Sequence, residues 1–232
     1  MMKRIFTGIL LLSIAVLVLG ACGKDSSKGN TERENKKDLV ATVDGKGISK
    51  KEYNKELDAM KASYEQQGMP VDQMDKKMKE QLEKSVLDKM INAELLLQTA
   101  EKSDISIKEK EVDTELEKIK SNFENDKKFE EALKKNKMTE NELKDQMKKQ
   151  MTVNKYLESK IGKVEATPQE IQAMYDQYKK SLESQKQKPE EFAKISPQLE
   201  QQVISQKENE EVGKLVDELR KKNEDKIKIH EA

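Results

Sequence analysis

Along the chain Ser or Thr repeatedly stands three residues ahead of Glu, and four such pairs open an apolar stripe that recurs about every three or four positions. The pairs are Ser49/Glu52, Ser106/Glu109, Thr139/Glu142 and Thr167/Glu170. Each can close a capping box, in which hydroxyl and carboxylate satisfy backbone N–H groups that a helix start leaves open. The stripes behind them have the period of an amphipathic helix rather than the alternation of a strand. Tyr53, Leu57, Met60 and Tyr64 follow the first pair, and Val112, Leu116, Ile119 and Phe123 the second. Leu143, Met147, Met151, Leu157 and Ile161 follow the third, and Ile171, Met174, Tyr175, Tyr178 and Leu182 the fourth.

Composition alone leaves two readings, disorder or long helices. Of the 232 residues 39% are charged, 34% apolar and 4% aromatic, and mean hydropathy is −0.95. Fifteen of the apolar residues fall in positions 1–21, so the remainder is only about 30% apolar, a level at which disorder is suspected. Four capping signals ahead of ordered stripes are hard to reconcile with disorder. Nine Gly and four Pro are too few for the turns of a β-sandwich or barrel. The absence of apolar runs past residue 21 excludes a parallel α/β sheet. We therefore expect a mainly α fold, a thin, elongated bundle of amphipathic helices.

Between the boxes, further helices are expected to start after Asp72 and to run around residues 127–135. Residues 87–100 are apolar on more than one face, which marks the most buried helix. Gly68 and Gly162 read as stops. The last long helix carries Phe192, Ile195, Leu199, Val203, Val212, Leu215, Val216 and Leu219. Residues 39–43 and 226–230 alternate as strands, the first followed by the turn signal Asp44-Gly45.

The N-terminus is equally specific. A basic start, Met1-Met2-Lys3-Arg4, precedes an apolar stretch of about fifteen residues, short of the roughly 20 a membrane-spanning helix needs. It closes on Leu19-Gly20-Ala21-Cys22, which resembles a bacterial lipobox. That resemblance implies cleavage before Cys22 and diacylglyceryl and palmitate chains on the chain's single cysteine. It implies a lipoprotein on the outer face of the cell membrane. Residues 23–38 contain no apolar residue and read as a tether of roughly 20–25 Å typical reach. The expected organisation is a signal peptide at 1–21, a tether at 22–38 and one folded domain at 39–232.

Residues 40–53, VATVDGKGISKKEY, resemble the opening of the SurA/PrsA family of extracytoplasmic folding chaperones, a V-A-x-V-N-G-x-x-I-T-x-x-E-F strand–turn–helix. The likeness continues through residues 86–100, 107–123, 139–156 and 167–175, and residues 212–229 resemble the family's last helix and strand. It implies a SurA N-terminal-like domain whose first and last strands pair. Foldases of this family also insert a parvulin prolyl-isomerase domain after the helix matching residues 167–182. Here nine residues separate Leu182 from Phe192, and the only histidine is His230. Isomerase activity is therefore not expected.

Other chemistry has little to stand on. With 45 basic and 45 acidic residues, and Arg only at 4, 33 and 220, no nucleic-acid-binding face is expected. The acidic pairs sit in Lys-rich helices as solvated faces. No nucleotide loop, metal set, cofactor motif or catalytic group is found, so no enzyme is expected.

What remains is binding. Nine Met follow residue 21 against three Phe, and unbranched, polarizable Met adapts to many partner shapes. Met60, Met69, Met74 and Met78, with Tyr53, Tyr64 and Val71, could line a groove for unfolded or nascent secreted chains. The same methionines could instead fill the core of a chain poor in aromatics. The expected function is an ATP-independent, membrane-anchored chaperone-like lipoprotein. The alternatives are an adaptor holding one envelope partner and, third, residual prolyl-isomerase activity.

Overall fold

The computed structural model describes residues 38–230. Cys22 and Leu19, Gly20 and Ala21 lie outside the described residues. Seven helices and three short strands follow in the order β1 (Leu39–Val43), β2 (Lys46–Ser49), α1 (Lys50–Gln66), α2 (Lys76–Glu101), α3 (Glu109–Lys120), α4 (Asp126–Lys135), α5 (Glu140–Ile161), α6 (Pro168–Ser184), α7 (Phe192–Lys222) and β3 (Ile227–Ile229). The chain divides into two compact bodies, residues 38–156 with 218–230, and residues 157–217.

The first body is organised around β1. Asp44 and Gly45 both take positive φ, 47° and 85°, the geometry of a two-residue hairpin turn matched to the strand twist, and this sets β2 antiparallel to β1. β3 pairs with the other edge of β1, also antiparallel, giving the order β2-β1-β3. Expected strands and pairing are thus both present. Leu39, Val40, Ala41 and Val43 are all buried, because α2 and α1 pack on this central strand.

Helix starts follow the local chemistry in three of the four boxes. Ser49 Oγ accepts from the Glu52 N–H at 3.2 Å while Glu52 accepts from the Ser49 N–H at 3.1 Å. Thr139 with Glu142 and Thr167 with Glu170 repeat the exchange. The Ser106 box is a correction: α3 begins later, with Lys108 as its cap. Ile107 is buried in the apolar cluster below, which holds the chain extended past Ser106. Only the reach-back half forms there, Glu111 accepting from the Lys108 N–H at 2.9 Å, since an ammonium has no lone pair to offer.

α1 stops at a Schellman turn. Gly68 sits at φ 77°, its N–H donates to the Glu65 carbonyl at 3.0 Å, and the Met69 N–H to the Tyr64 carbonyl at 2.9 Å. A single 3₁₀ turn, Val71–Gln73, follows. α2 then starts later than the expectation at Asp72, because Asp75 is the residue whose carboxylate caps the Met78 N–H, at 2.8 Å.

As periodicity indicates, the second half of α2 is the most buried helix, with Val86, Met90, Ile91, Leu95, Leu96 and Ala100 inside. Polar contacts pin the hairpin to it. Gln98 Nε2 donates to the Val43 carbonyl at 2.8 Å and to Glu94 Oε1 at 2.7 Å, and Lys46 pairs with Glu94 Oε2 at 3.0 Å. Glu94 is only 3% exposed. At the turn, Lys102 lies 2.6 Å from Asp44 and, through that hydrogen bond, holds its carboxyl below the ordinary carboxylate range. Arg220, at the end of α7, reaches Asp88 at 2.9 Å and Asn92 at 3.1 Å, which places β3 beside β1.

A second apolar cluster joins α3, α4 and α5. Ile107, Val112, Leu116, Phe129 and Met147 are buried in it, with Ile119, Phe123, Leu133, Leu143 and Met151 packed around them. α4 is capped by Asn125 and has one buried residue, Phe129, which meets Phe123 edge-on with ring centroids 5.5 Å apart.

In the second body, Ile195, Leu199 and Val203 form a buried stripe on α7 at four-residue spacing. Tyr175 of α6 meets Phe192 edge-on at 5.2 Å and donates to the Glu190 carbonyl at 2.9 Å. Lys207 ties α7 to the cap of α6, lying 2.8 Å from Glu170 and donating to the Glu165 carbonyl at 2.9 Å. The Lys207 hydrogen bond, then those from Thr167, hold the Glu170 carboxyl at about 2, against an ordinary value of 4.5. A carboxyl depressed by folding stabilises the fold fully above its unfolded value and ceases to do so below its folded one. This contribution is therefore present above pH 4.5 and is lost as the pH falls towards 2. Thermal unfolding of Glu170→Gln across pH 2–6 should show a shallower loss of melting temperature than the parent. Identical slopes would mean the cap carries no pH-dependent stability.

Candidate functional site

The seven residues singled out as a groove lie on α1, in the connection that contains the 3₁₀ turn and at the start of α2, all in the first body. The structure sorts them by exposure. Met69 is 46% exposed and Met78 51%. Tyr53, Met60, Tyr64 and Met74 are half-buried, and Val71, at 6% exposure, belongs to the interior.

Local structure explains the exposed pair. The Schellman turn ends α1 and carries Met69 past its last carbonyls. The Asp75 cap starts α2 one turn before Met78. Neither methionine takes part in the stripe Leu82, Val86 and Met90 that anchors α2. Tyr53 is held more firmly, its hydroxyl donating to the Glu83 carbonyl at 3.3 Å. Burial, and secondly the Glu83 carboxylate, push its phenol up. Lys89 of α2 pairs with Glu56 of α1 at 2.7 Å. α1 and α2 are thus fixed to each other by polar contacts, while the turn between them offers adaptable apolar side chains.

A second concavity, of about 340 Å³, lies where Ile105 and Ile107 approach α5, and carries Glu101, Asp145, Lys148 and Lys149. Its mixed charge selects no particular ligand. A third, of about 470 Å³, is bounded by Arg220, Lys221 and Glu224 and by Ile227 and Ile229 of β3. Periodicity did not point to it, because its two apolar walls sit on a strand of three residues. Ile229 is 60% exposed, the most exposed large apolar residue described. Among the described residues no three His, Cys, Asp or Glu side chains gather as a metal site, and no helix is long and apolar enough to cross a membrane.

The first body thus consists of a hairpin leading into a capped helix, a helix buried along its second half and a last strand returning to the first. A family model described as the SurA-like N-terminal domain matches residues 1–157, and the chain belongs to that family. Relatives bearing the name Foldase protein PrsA are similar over most of the chain. The one from Clostridium botulinum strain 657 / Type Ba4 is 28% identical over 180 residues, covering 73% of this chain and 52% of the relative. That from Caldanaerobacter subterraneus subsp. tengcongensis is 27% identical over 152 residues, covering 63% and 44%. The chain thus spans about half the length of the curated relatives it matches. No solved structure matches. Only residues 185–191 separate α6 from α7, so no parvulin domain stands where the resemblance would place one.

Proposed function

We propose that this protein is a membrane-anchored, extracytoplasmic chaperone-like lipoprotein that holds unfolded or emerging exported chains without ATP and without chemistry of its own. The observation that carries this reading is the pair of exposed methionines, Met69 and Met78, beside half-buried Tyr53, Met60, Tyr64 and Met74 on a SurA-like N-terminal fold. Flexible apolar side chains on a rigid helical support suit binding without a fixed partner shape. The foldase name of the relatives supports the same direction. Attachment would run through acyl chains on Cys22, directed by Leu19, Gly20 and Ala21, with residues 22–38 as tether and 39–232 as the working domain. More than one acyl chain is what stable anchoring requires.

The test is suppression of aggregation of two unrelated denatured proteins, reduced lysozyme and reduced α-lactalbumin. The parent should protect both. A double substitution, Met69→Glu with Met78→Glu, sets carboxylates against apolar client segments and should raise the concentration for half protection about tenfold while helicity is unchanged. Equal protection by parent and variant would remove these methionines from the binding surface. Failure to protect either protein, with one envelope protein co-purifying instead, would favour the adaptor. In cells, Cys22→Ala should move the protein out of the membrane fraction.

A further inference from the structure

β3 is an edge strand whose unused side is already patterned. The Asp44 N–H donates to the Lys226 carbonyl at 2.9 Å, and the His230 N–H to the Val40 carbonyl at 2.9 Å. In an antiparallel ladder alternate residues bond to the same neighbour, so the Lys226 carbonyl, the backbone groups of Lys228 and the His230 N–H turn to β1, while the Lys226 N–H donates to the Asn223 carbonyl. The carbonyls of Ile227 and Ile229 and the Ile229 N–H therefore turn outward, the Ile227 N–H being taken by the Glu224 carbonyl, and among the described residues no strand meets them. One donor, the Ile229 N–H, and two acceptors at strand spacing are a template for another chain. Side chains add selectivity. Ile227 and Ile229 pair with Val43 and Ala41, both fully buried, so the covered face of the sheet runs outward onto Ile229 and stops there, 60% exposed. Lys228 is exposed on the opposite face.

We propose that the outer edge of β3 is a strand-addition site for an extended polypeptide segment in which two apolar residues flank an acidic one. Main-chain bonds to Ile227 and Ile229 would hold it, its apolar pair would cover the two isoleucines beside the Arg220–Lys221 groove, and its carboxylate would stand opposite Lys228. Charge argues against a second copy. Antiparallel self-pairing centred on Lys228 sets that lysine against itself, and pairing centred on Ile227 sets it against Lys226, and like charges placed opposite are destabilising. Residues 23–38 of the chain itself offer no apolar residue to fill the site. The assignment rests on the reading of this protein as a binder of unfolded chains, but it names a different surface from the Met69–Met78 turn.

The experiment uses the full chain in non-ionic detergent and a fluorescein-labelled peptide, Ser-Thr-Val-Glu-Val-Thr-Ser, with a counterpart carrying Lys for Glu, read by fluorescence anisotropy. The Glu peptide should bind about fivefold tighter than the Lys peptide, the scale of one cross-strand charge pair reversed. Lys228→Glu should invert that preference, a readout that simple loss of folding cannot produce. Ile229→Pro removes an outward N–H and no bond to β1, so it should weaken binding at least about tenfold with the melting temperature unchanged. Equal binding of both peptides, or affinity indifferent to Ile229→Pro, overturns the proposal and leaves the holding function standing. Peptide preference that inverts in Lys228→Glu, in a protein that fails to suppress aggregation, supports the edge site and removes the general chaperone reading. Concentration-dependent dimers abolished by Ile229→Pro would reassign the edge to self-pairing.

Discussion

Phe129→Ala should lower the stability of the protein by about 3–5 kcal/mol, the range for truncating a buried aromatic in a core that cannot collapse around the gap. The side chain is the single buried residue of α4, a helix of ten residues whose other positions are exposed or half-buried. It fills the space between Ile107, Val112, Leu116 and Met147, contacts the ring of Phe123 edge-on, and lies under the Lys120 ammonium, 5.4 Å from the ring centroid. A helix this short is marginal in water, so α4 persists chiefly through that anchor, with Leu133 packed beside it. Guanidinium unfolding should show the loss, and hydrogen exchange should show α4 unprotected before the rest of the cluster. Phe129→Leu, which keeps most of the volume, should cost well under half as much. A loss below about 1 kcal/mol for the alanine variant would mean that α4 is held by something other than this residue.

Lys46→Met should cost about 2–3 kcal/mol, through the group it abandons rather than the one it removes. The Glu94 carboxylate is 3% exposed and meets two partners, Lys46 and Gln98. Without the ammonium it stays buried beside a single amide donor. The Lys46 side chain is 40% exposed, so water softens the penalty below that of a sealed pair. Because Gln98 also holds the Val43 carbonyl, the disturbance should spread to the β1–β2 hairpin. A cycle with Glu94→Leu decides the matter: the double variant should recover much of the loss, since an apolar pair leaves no stranded charge. Additive losses would show that the two side chains do not interact energetically.

Both predictions turn on residues that sequence periodicity treats unevenly. Phe129 stands out as the aromatic of a short helical stripe. Glu94 does not: flanked by Met90, Ile91, Leu95 and Leu96, it reads as a break in an apolar run rather than as its polar hinge. A carboxylate on the buried face of a helix is a signal that could have found it, because such a group needs a partner. Val71 shows the reverse. Its place between Pro70 and Asp72 suggests an exposed loop, yet the 3₁₀ turn directs it inward, while Met69 and Met78, of equal hydrophobicity, stay out.

Local chemistry sets where most helices begin and which faces they bury. Capping and the 3.6-residue period act within one or two turns, so Ser49, Thr139 and Thr167 hold their roles wherever the helices pack. Even that locality yields to packing at Ser106, where burying Ile107 moves the start of α3 to Lys108. The family resemblance implied that β3 closes on β1, but it took the packed fold to reveal that Glu94 is sealed between a helix and a hairpin and that Ile229 ends at an open edge. Those outcomes depend on segments far apart along the chain. No local pattern carries that information, because backbone pairing and burial are settled only when distant strands compete for the same edge.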